Sequence, residues 1–150
     1  MASPEWKDLQ FLPGEWDATG SGEPGQGIGS VSFTFELGNK ILVRRNHLEF
    51  AATKNTPAFA HDDQLITYKE ENGEMRAIYF DNEGHTIHYE VSISPEGNIV
   101  YSSNKVQGTP RFRMSYIRDG DGVYSTRFEI APPDDPDRSI VHVEGPAKRK

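Results

Sequence analysis

The sequence predicts an all-β protein folded as a single antiparallel meander β-barrel of about ten strands, with one short helical turn near its N-terminus. Three observations carry that expectation. Apolar and polar residues alternate with a period of two through the apolar runs. Turn signals built from Gly, Asn, Asp and Pro separate the runs at roughly ten-residue spacing. A meander with one apolar face per strand must hide that face, and closing into a barrel does so while removing open edges. The 150 residues fit one domain, 1–150, large enough for a core without disulfides or metals. No repeat or linker divides them.

The elements follow in order. Residues 3–12 read as a helical turn or two, ended by Pro13 and Gly14. The first strand starts at FLPGEW (11–16), and the Gly-rich GSGEPGQGIG (20–29) reads as a loop. SVSFTFEL (30–37) alternates, with Val31, Phe33, Phe35 and Leu37 on one face. Further turns fall at 37–40, 71–74, 81–84, 95–98 and 119–122. Between them HTIHYEVSI (85–93) puts Ile87, Tyr89, Val91 and Ile93 together; RFRMSYIR (111–118) does the same for Phe112, Met114 and Tyr116, and YSTRFEI (124–130) for Tyr124, Phe128 and Ile130. APPDDPDR (131–138) reads as an acidic, Pro-stiffened surface loop before the last strand, SIVHVEGPAKRK.

Composition bounds the function. The net charge of −7 argues against a nucleic-acid partner, because phosphate binding needs a basic surface. The absence of cysteine excludes disulfides, thiolate metal sites and cysteine nucleophiles. No apolar h-region opens the chain and no apolar run approaches the roughly 20 residues of a membrane span, so a cytoplasmic location without a membrane partner is expected. There is no G-x-S-x-G elbow and no H-E-x-x-H, and the G-x-G of residues 20–22 leads into no helix.

Gly14 and Trp16 in FLPGEW resemble the Gly-x-Trp signature of the calycin superfamily, and GEWDATGSGEP resembles the opening of nitrobindin-type haem barrels. From LQFLPGEW through YFDNEGH to the closing AKRK, the chain is most similar to an uncharacterised bacterial lipocalin-like family of unknown function. The calycin resemblance implies that Trp16 closes one barrel end with a basic residue over it, Arg149 or Lys148. The nitrobindin resemblance implies a haem-binding His late in the chain, for which His142 is the match. With Val141 and Val143 inside, His142 points out; with Ile140 inside, it points in.

The densest cluster of chemistry is YFDNEGHTIHY (79–89). Read as an even loop, its turn pairs Phe80 with His85, Ile78 with Ile87 and Arg76 with Tyr89; an odd loop would flip that pairing. The even reading puts Ile78, Phe80, Ile87 and Val91 on the lumenal face, joined by Arg76, His85 and Tyr89, the leading ligand-binding candidates. Arg76 would meet a ligand carboxylate with Tyr89 as a second donor, or form a salt bridge with Glu74 or a rim acid. His85 and His88 diverge, so no strand-borne metal pair is expected, and Asp81 and Glu83 are turn residues. A second candidate pair is Arg44 and Asn46: a two-residue Gly38-Asn39 loop pairs Phe35 with Leu42, Phe33 with Arg44 and Val31 with Asn46. One more loop residue would turn Val43, Arg45 and His47 inward instead. In His61-Asp62-Asp63, only His61 and Asp63 share a face, as a salt bridge or turn cap at the loop mouth. The 119–122 turn needs an odd loop with a left-handed Gly, to set Met114 opposite Phe128 and Tyr116 opposite Thr126 and leave Arg111, Arg113, Arg127 and Glu129 outward.

The function expected is a binding module holding a small amphipathic or hydrophobic ligand, anionic ones included, in the lumen, without a cofactor. The alternatives are a haem barrel using His142, a small barrel enzyme with His85 as acid–base beside Asp81 or Asp63 and Arg76 stabilising an anion, and a filled barrel acting through an exposed face, for instance as a homodimer.

Overall fold

The computed structural model describes residues 3–22, 26–120, 122–135 and 137–150. A 3₁₀ turn, Trp6–Leu9, precedes ten strands: β1 (Gly14–Gly22), β2 (Gly27–Glu36), β3 (Ile41–Phe50), β4 (Phe59–Lys69), β5 (Met75–Asp81), β6 (Thr86–Ile93), β7 (Ile99–Ser103), β8 (Arg111–Gly120), β9 (Val123–Ala131) and β10 (Ile140–Arg149). Every strand pairs antiparallel with its neighbour in the chain, and β1 closes on β10. The expected meander barrel is the fold. Among the described residues no helix is long and apolar enough to cross a membrane.

One hairpin takes the first of the two registers that the sequence left open, and another follows the expected one. Across β2–β3, Phe35 faces Leu42, Phe33 faces Arg44 and Val31 faces Asn46, because the four residues 37–40 keep an even loop. Arg44 and Asn46 are therefore inside, while Arg45 pairs outside with Glu36 and His47 with Asp62. Across β8–β9, Met114 faces Phe128 and Tyr116 faces Thr126, with an irregularity between Arg118 and Gly120 and Gly122 at φ +71°. Asp121 of that turn lies outside the described residues. Arg113 and Arg127 reach Glu129 and Glu144 on the outer surface.

The β5–β6 hairpin departs from the even reading. Phe80 faces Thr86, Ile78 faces His88, Ala77 faces Tyr89 and Arg76 faces Glu90. The loop is the odd one, Asn82-Glu83-Gly84: Asp81 N–H donates to the His85 carbonyl, and Gly84 takes φ +91°. One residue of slip exchanges the two faces of β5. Met75, Ala77, Tyr79 and Asp81 turn inward, while Ile78 and Phe80 turn outward, with Phe80 43% exposed.

The stretch expected as a loop at 20–29 is mostly strand, since β1 continues to Gly22 and β2 begins at Gly27; Glu23, Pro24 and Gly25 lie outside the described residues. Its glycines mark close approach rather than reversal. A Cβ on Gly29 would collide with the His47 carbonyl of β3. In the 131–138 loop, Asp135 N–H bonds the Pro132 carbonyl; Pro136 lies outside the described residues.

The two barrel ends differ. At one end the N-terminal turn is the plug. Leu9 and Leu12 are fully buried, Trp6 packs edge-on to Phe35 at 5.5 Å, and the Trp16 indole donates to the Leu12 carbonyl at 2.7 Å. Arg149 lies over the Trp16 ring at 4.3 Å and donates to the Pro13 and Phe11 carbonyls at 2.8 and 3.4 Å. Gly14 has φ +129°, and a Cβ there would strike that guanidinium. Leu42, Leu65, Met75, Val91 and Ile99 fill the lumen behind the plug. Toward the other end, where β5 turns into β6 and β9 into β10, the lumen opens.

Candidate functional site

The open half of the lumen is a cavity of about 510 Å³. Its walls alternate out of the strands: Leu48 and Phe50 from β3, Phe112 from β8, Phe128 and Ile130 from β9 supply apolar surface. Phe112 and Phe128 lie nearly parallel, 5.9 Å between centroids. One wall is polar. It comes from β3, β4 and β5, each with inward polar positions among its apolar ones.

Asp63 on β4 is the centre of that wall, its side chain 2% exposed. Its Oδ2 accepts from Asn46 Nδ2 at 2.9 Å, Arg44 Nη2 at 3.3 Å and His61 Nε2 at 2.9 Å. Arg44 also donates through Nη1 to the Tyr116 hydroxyl at 2.8 Å and to Met114 Sδ at 3.1 Å. Burial, the largest single influence, pulls the Arg44 pKa down, yet the facing Asp63 carboxylate and the neighbouring tyrosines together outweigh it, so the guanidinium stays charged. The hydrogen bond to Asp63 raises His61 above the ordinary imidazole range despite its partial burial. Asp63 Oδ1 and Arg44 Nε are buried without a partner among the described residues.

A second cluster rims the opening. The Tyr79 hydroxyl donates to Asp81 Oδ2 at 3.0 Å and lies 3.1 Å from His61 Nε2. Asp81 Oδ1 accepts the Glu83 and His85 backbone N–H groups at 2.9 and 3.0 Å, and its Oδ2 the His85 Nδ1 at 2.9 Å. Glu83 stands 3.6 Å from His61 Nδ1. Asp81 is thus both the cap of its own turn and the link from rim to lumen. An imidazole held by a buried carboxylate, as His61 is by Asp63, can keep or pass a proton near neutral pH.

Four buried tyrosines are linked edge to face: Tyr89 to Tyr101 at 6.0 Å, Tyr101 to Tyr116 at 5.6 Å and Tyr116 to Tyr124 at 5.7 Å. Of these, Tyr89, Tyr116 and Tyr124 line the floor. Burial raises Tyr116 to about 12, with Arg44 pulling the other way, and raises Tyr79, Tyr89, Tyr101 and Tyr124 further. All five are neutral phenols at physiological pH.

Arg44, Asn46 and Tyr89 face the lumen as expected for them. Arg76 does not. The odd hairpin loop puts it on the outer face, 2.8 Å from Glu74, 3.0 Å from Glu90 and 3.5 Å from Glu70, where it is a surface ion pair and no partner for Tyr89. His85 sits at the rim, its side chain 59% exposed and bound to Asp81. His142 lines the lumen as well: Val141 faces Glu129 and Val143 faces Phe128, so the ladder slips at His142 and both 142 and 143 reach the cavity. His61 is paired to Asp63 inside the lumen, and His85 at the rim to Asp81, whose side chain is 4% exposed. Tyr79, Tyr116 and Tyr124 were not among the expected site residues, although alternation with Met114 and Phe128 puts Tyr116 and Tyr124 on inward faces. Among the described residues no group of three His, Asp or Glu converges as a metal site.

No protein-family model matches the chain, and no curated protein matches it. Among solved structures it is similar to a protein described as a de novo design of a fluorescence-activating beta barrel, with 12% identity, a TM-score of 0.49, and coverage of 95% of this chain and 98% of that one.

Proposed function

We propose that the chain is a lipocalin-like binding protein of the calycin type, holding a small amphipathic or hydrophobic ligand in its lumen. One observation carries the reading: a cavity of about 510 Å³, apolar on most of its wall, with convergent polar groups on one side. The calycin assignment is supported by Arg149 over Trp16 at the plugged end. An anionic head group is not favoured. The Arg44 charge is already met by Asp63 at 3.3 Å, and Asp81 and Glu83 line the same lumen. Arg76, the other cation considered for that role, is outside.

A second reading, haem held by His142, is supported by the lumenal placement of that ring, 6.0 Å from Phe128. The open end fits haem poorly. Asp81 and Glu83 would face the propionates, and Arg44 is already committed to Asp63.

Native mass spectrometry of protein purified from cells, with an absorbance spectrum of the same sample, tests both. The expected result is a co-purifying organic mass that is lost when Thr126→Phe fills the cavity. A Soret band would replace this reading with haem; an apo mass that also fails to take up apolar probes would overturn it.

A further inference from the structure

We propose that the floor of the lumen is a subsite for an uncharged acceptor oxygen, such as the carbonyl of an aromatic ketone, ester or amide, bound by the hydroxyl of Tyr89 or of Tyr124. The inference rests on the binding reading above and names the class of ligand.

Five tyrosines surround the lumen or its base, and three have their hydroxyls occupied. Tyr79 donates to Asp81 at 3.0 Å, Tyr101 shares a hydrogen bond with Thr67 at 2.9 Å, and Tyr116 accepts from Arg44 at 2.8 Å. The Tyr89 and Tyr124 rings are buried, each residue 1% exposed, and both residues line the cavity, where neither hydroxyl makes a side-chain hydrogen bond to another described residue. They lie on either side of the Arg44–Tyr116 pair. A phenol is a strong donor, and covering its hydroxyl with a guest that accepts no hydrogen bond is costly. A guest oxygen at the floor supplies what the protein does not.

The charge of the site selects a neutral oxygen over a carboxylate. The one lumenal guanidinium among the described residues is already paired, and Asp63, Asp81 and Glu83 line the same space. A carboxylate entering there would lose its hydration to a guanidinium already paired with Asp63, facing carboxylates of its own sign. The near-parallel Phe112 and Phe128 rings suit a flat apolar body behind that oxygen.

Three probes of one shape separate the terms: 2-acetylnaphthalene, 2-isopropenylnaphthalene, in which CH₂ replaces the carbonyl oxygen, and 2-naphthoate. Dissociation constants are measured by calorimetry for the wild type, Tyr89→Phe, Tyr124→Phe and the double variant, with circular dichroism confirming the fold. The ketone is expected to bind more weakly by roughly 3- to 10-fold in at least one single variant, and by at least as much in the double. The hydrocarbon should bind the variants at least as well as the wild type, and naphthoate should bind the wild type more weakly than the ketone. Equal losses for ketone and hydrocarbon, no loss in the double variant, or tightest binding of naphthoate would overturn the acceptor subsite while leaving the binding reading intact. Failure of all three probes to bind would overturn both.

Discussion

Asp63 Oδ2 takes hydrogen bonds from Arg44, Asn46 and His61, so these side chains are energetically one unit. His61 is its titratable member. Its folded-state pKa lies above the unfolded value of about 6.5, because the bond to Asp63 favours the imidazolium, with Glu83 and Asp81 acting in the same direction. That stabilisation is complete below the unfolded value and is lost as pH rises through the folded one. Thermal stability should therefore fall as pH is raised above about 6.5. His61→Gln should flatten the slope, leaving the smaller share of His47, which Asp62 raises in the same sense on the outer face. Melting curves across that range, with an NMR titration of the His61 ring, check the sign. At the plugged end, Arg149→Ala removes the contact over Trp16 and two charge-assisted bonds to Pro13 and Phe11. A loss of about 2 kcal/mol is expected in urea unfolding, and Arg149→Lys should recover only part of it, because an ammonium cannot fork to both carbonyls. These contacts differ in how far residue types reveal them. Trp16 under a late basic residue is what the resemblance of Gly14-x-Trp16 to the calycin signature implies, not something the residue types alone reveal. The Asp63 unit was legible only as far as His61 and Asp63 sharing a face, since Arg44 reaches Asp63 from another strand.

Loop parity decides the faces of each hairpin. In β8–β9 the apolar pattern on both strands is strong enough to choose it, since Met114 needs Phe128; in β2–β3 Leu42 and Val43 are both apolar, so the pattern leaves two registers open and the four-residue turn decides for Leu42 and Arg44. In β5–β6 the pattern misleads. Strand β5 has apolar residues on both faces, with Ala77 and Tyr79 on one and Ile78 and Phe80 on the other. Its turn chemistry has the deciding role. Asp81 caps the Glu83 and His85 N–H groups, and Gly84 absorbs the positive φ of a three-residue loop. Arg76 could not be placed from residue types because either face offered it a partner. The same analysis gives a prediction for the hairpin. Gly84→Ala should cost about 1 kcal/mol, because a side chain at φ +91° is strained although nothing crowds the position. Urea unfolding measures it. Tyr79 and Asp81 should remain inward, so ligand affinity should change less than stability.

Over the whole molecule, stability and binding occupy opposite ends of one closed sheet. The plugged end holds the fully buried Leu9 and Leu12 and the Trp16–Arg149 contact, whereas the open end holds the cavity and the polar wall. A closed barrel has no edge strand to fray, so both halves should unfold in one transition even though only one is densely packed. Substitutions should then separate by end. Leu9→Ala leaves a void under the plug and should lower stability by about 3 kcal/mol, without changing the affinity of a lumenal probe measured well below the melting temperature. Thr126→Phe, at the half-exposed lumenal position opposite Tyr116, adds apolar area to unfilled space. It should keep or raise stability while removing probe binding. Melting curves with and without 2-acetylnaphthalene read both effects at once. The ligand-induced rise in Tm should survive in Leu9→Ala and vanish in Thr126→Phe. A lumen that were only unfinished core would give the opposite pattern: no ligand-induced rise in the wild type, and a stability gain from filling with nothing lost.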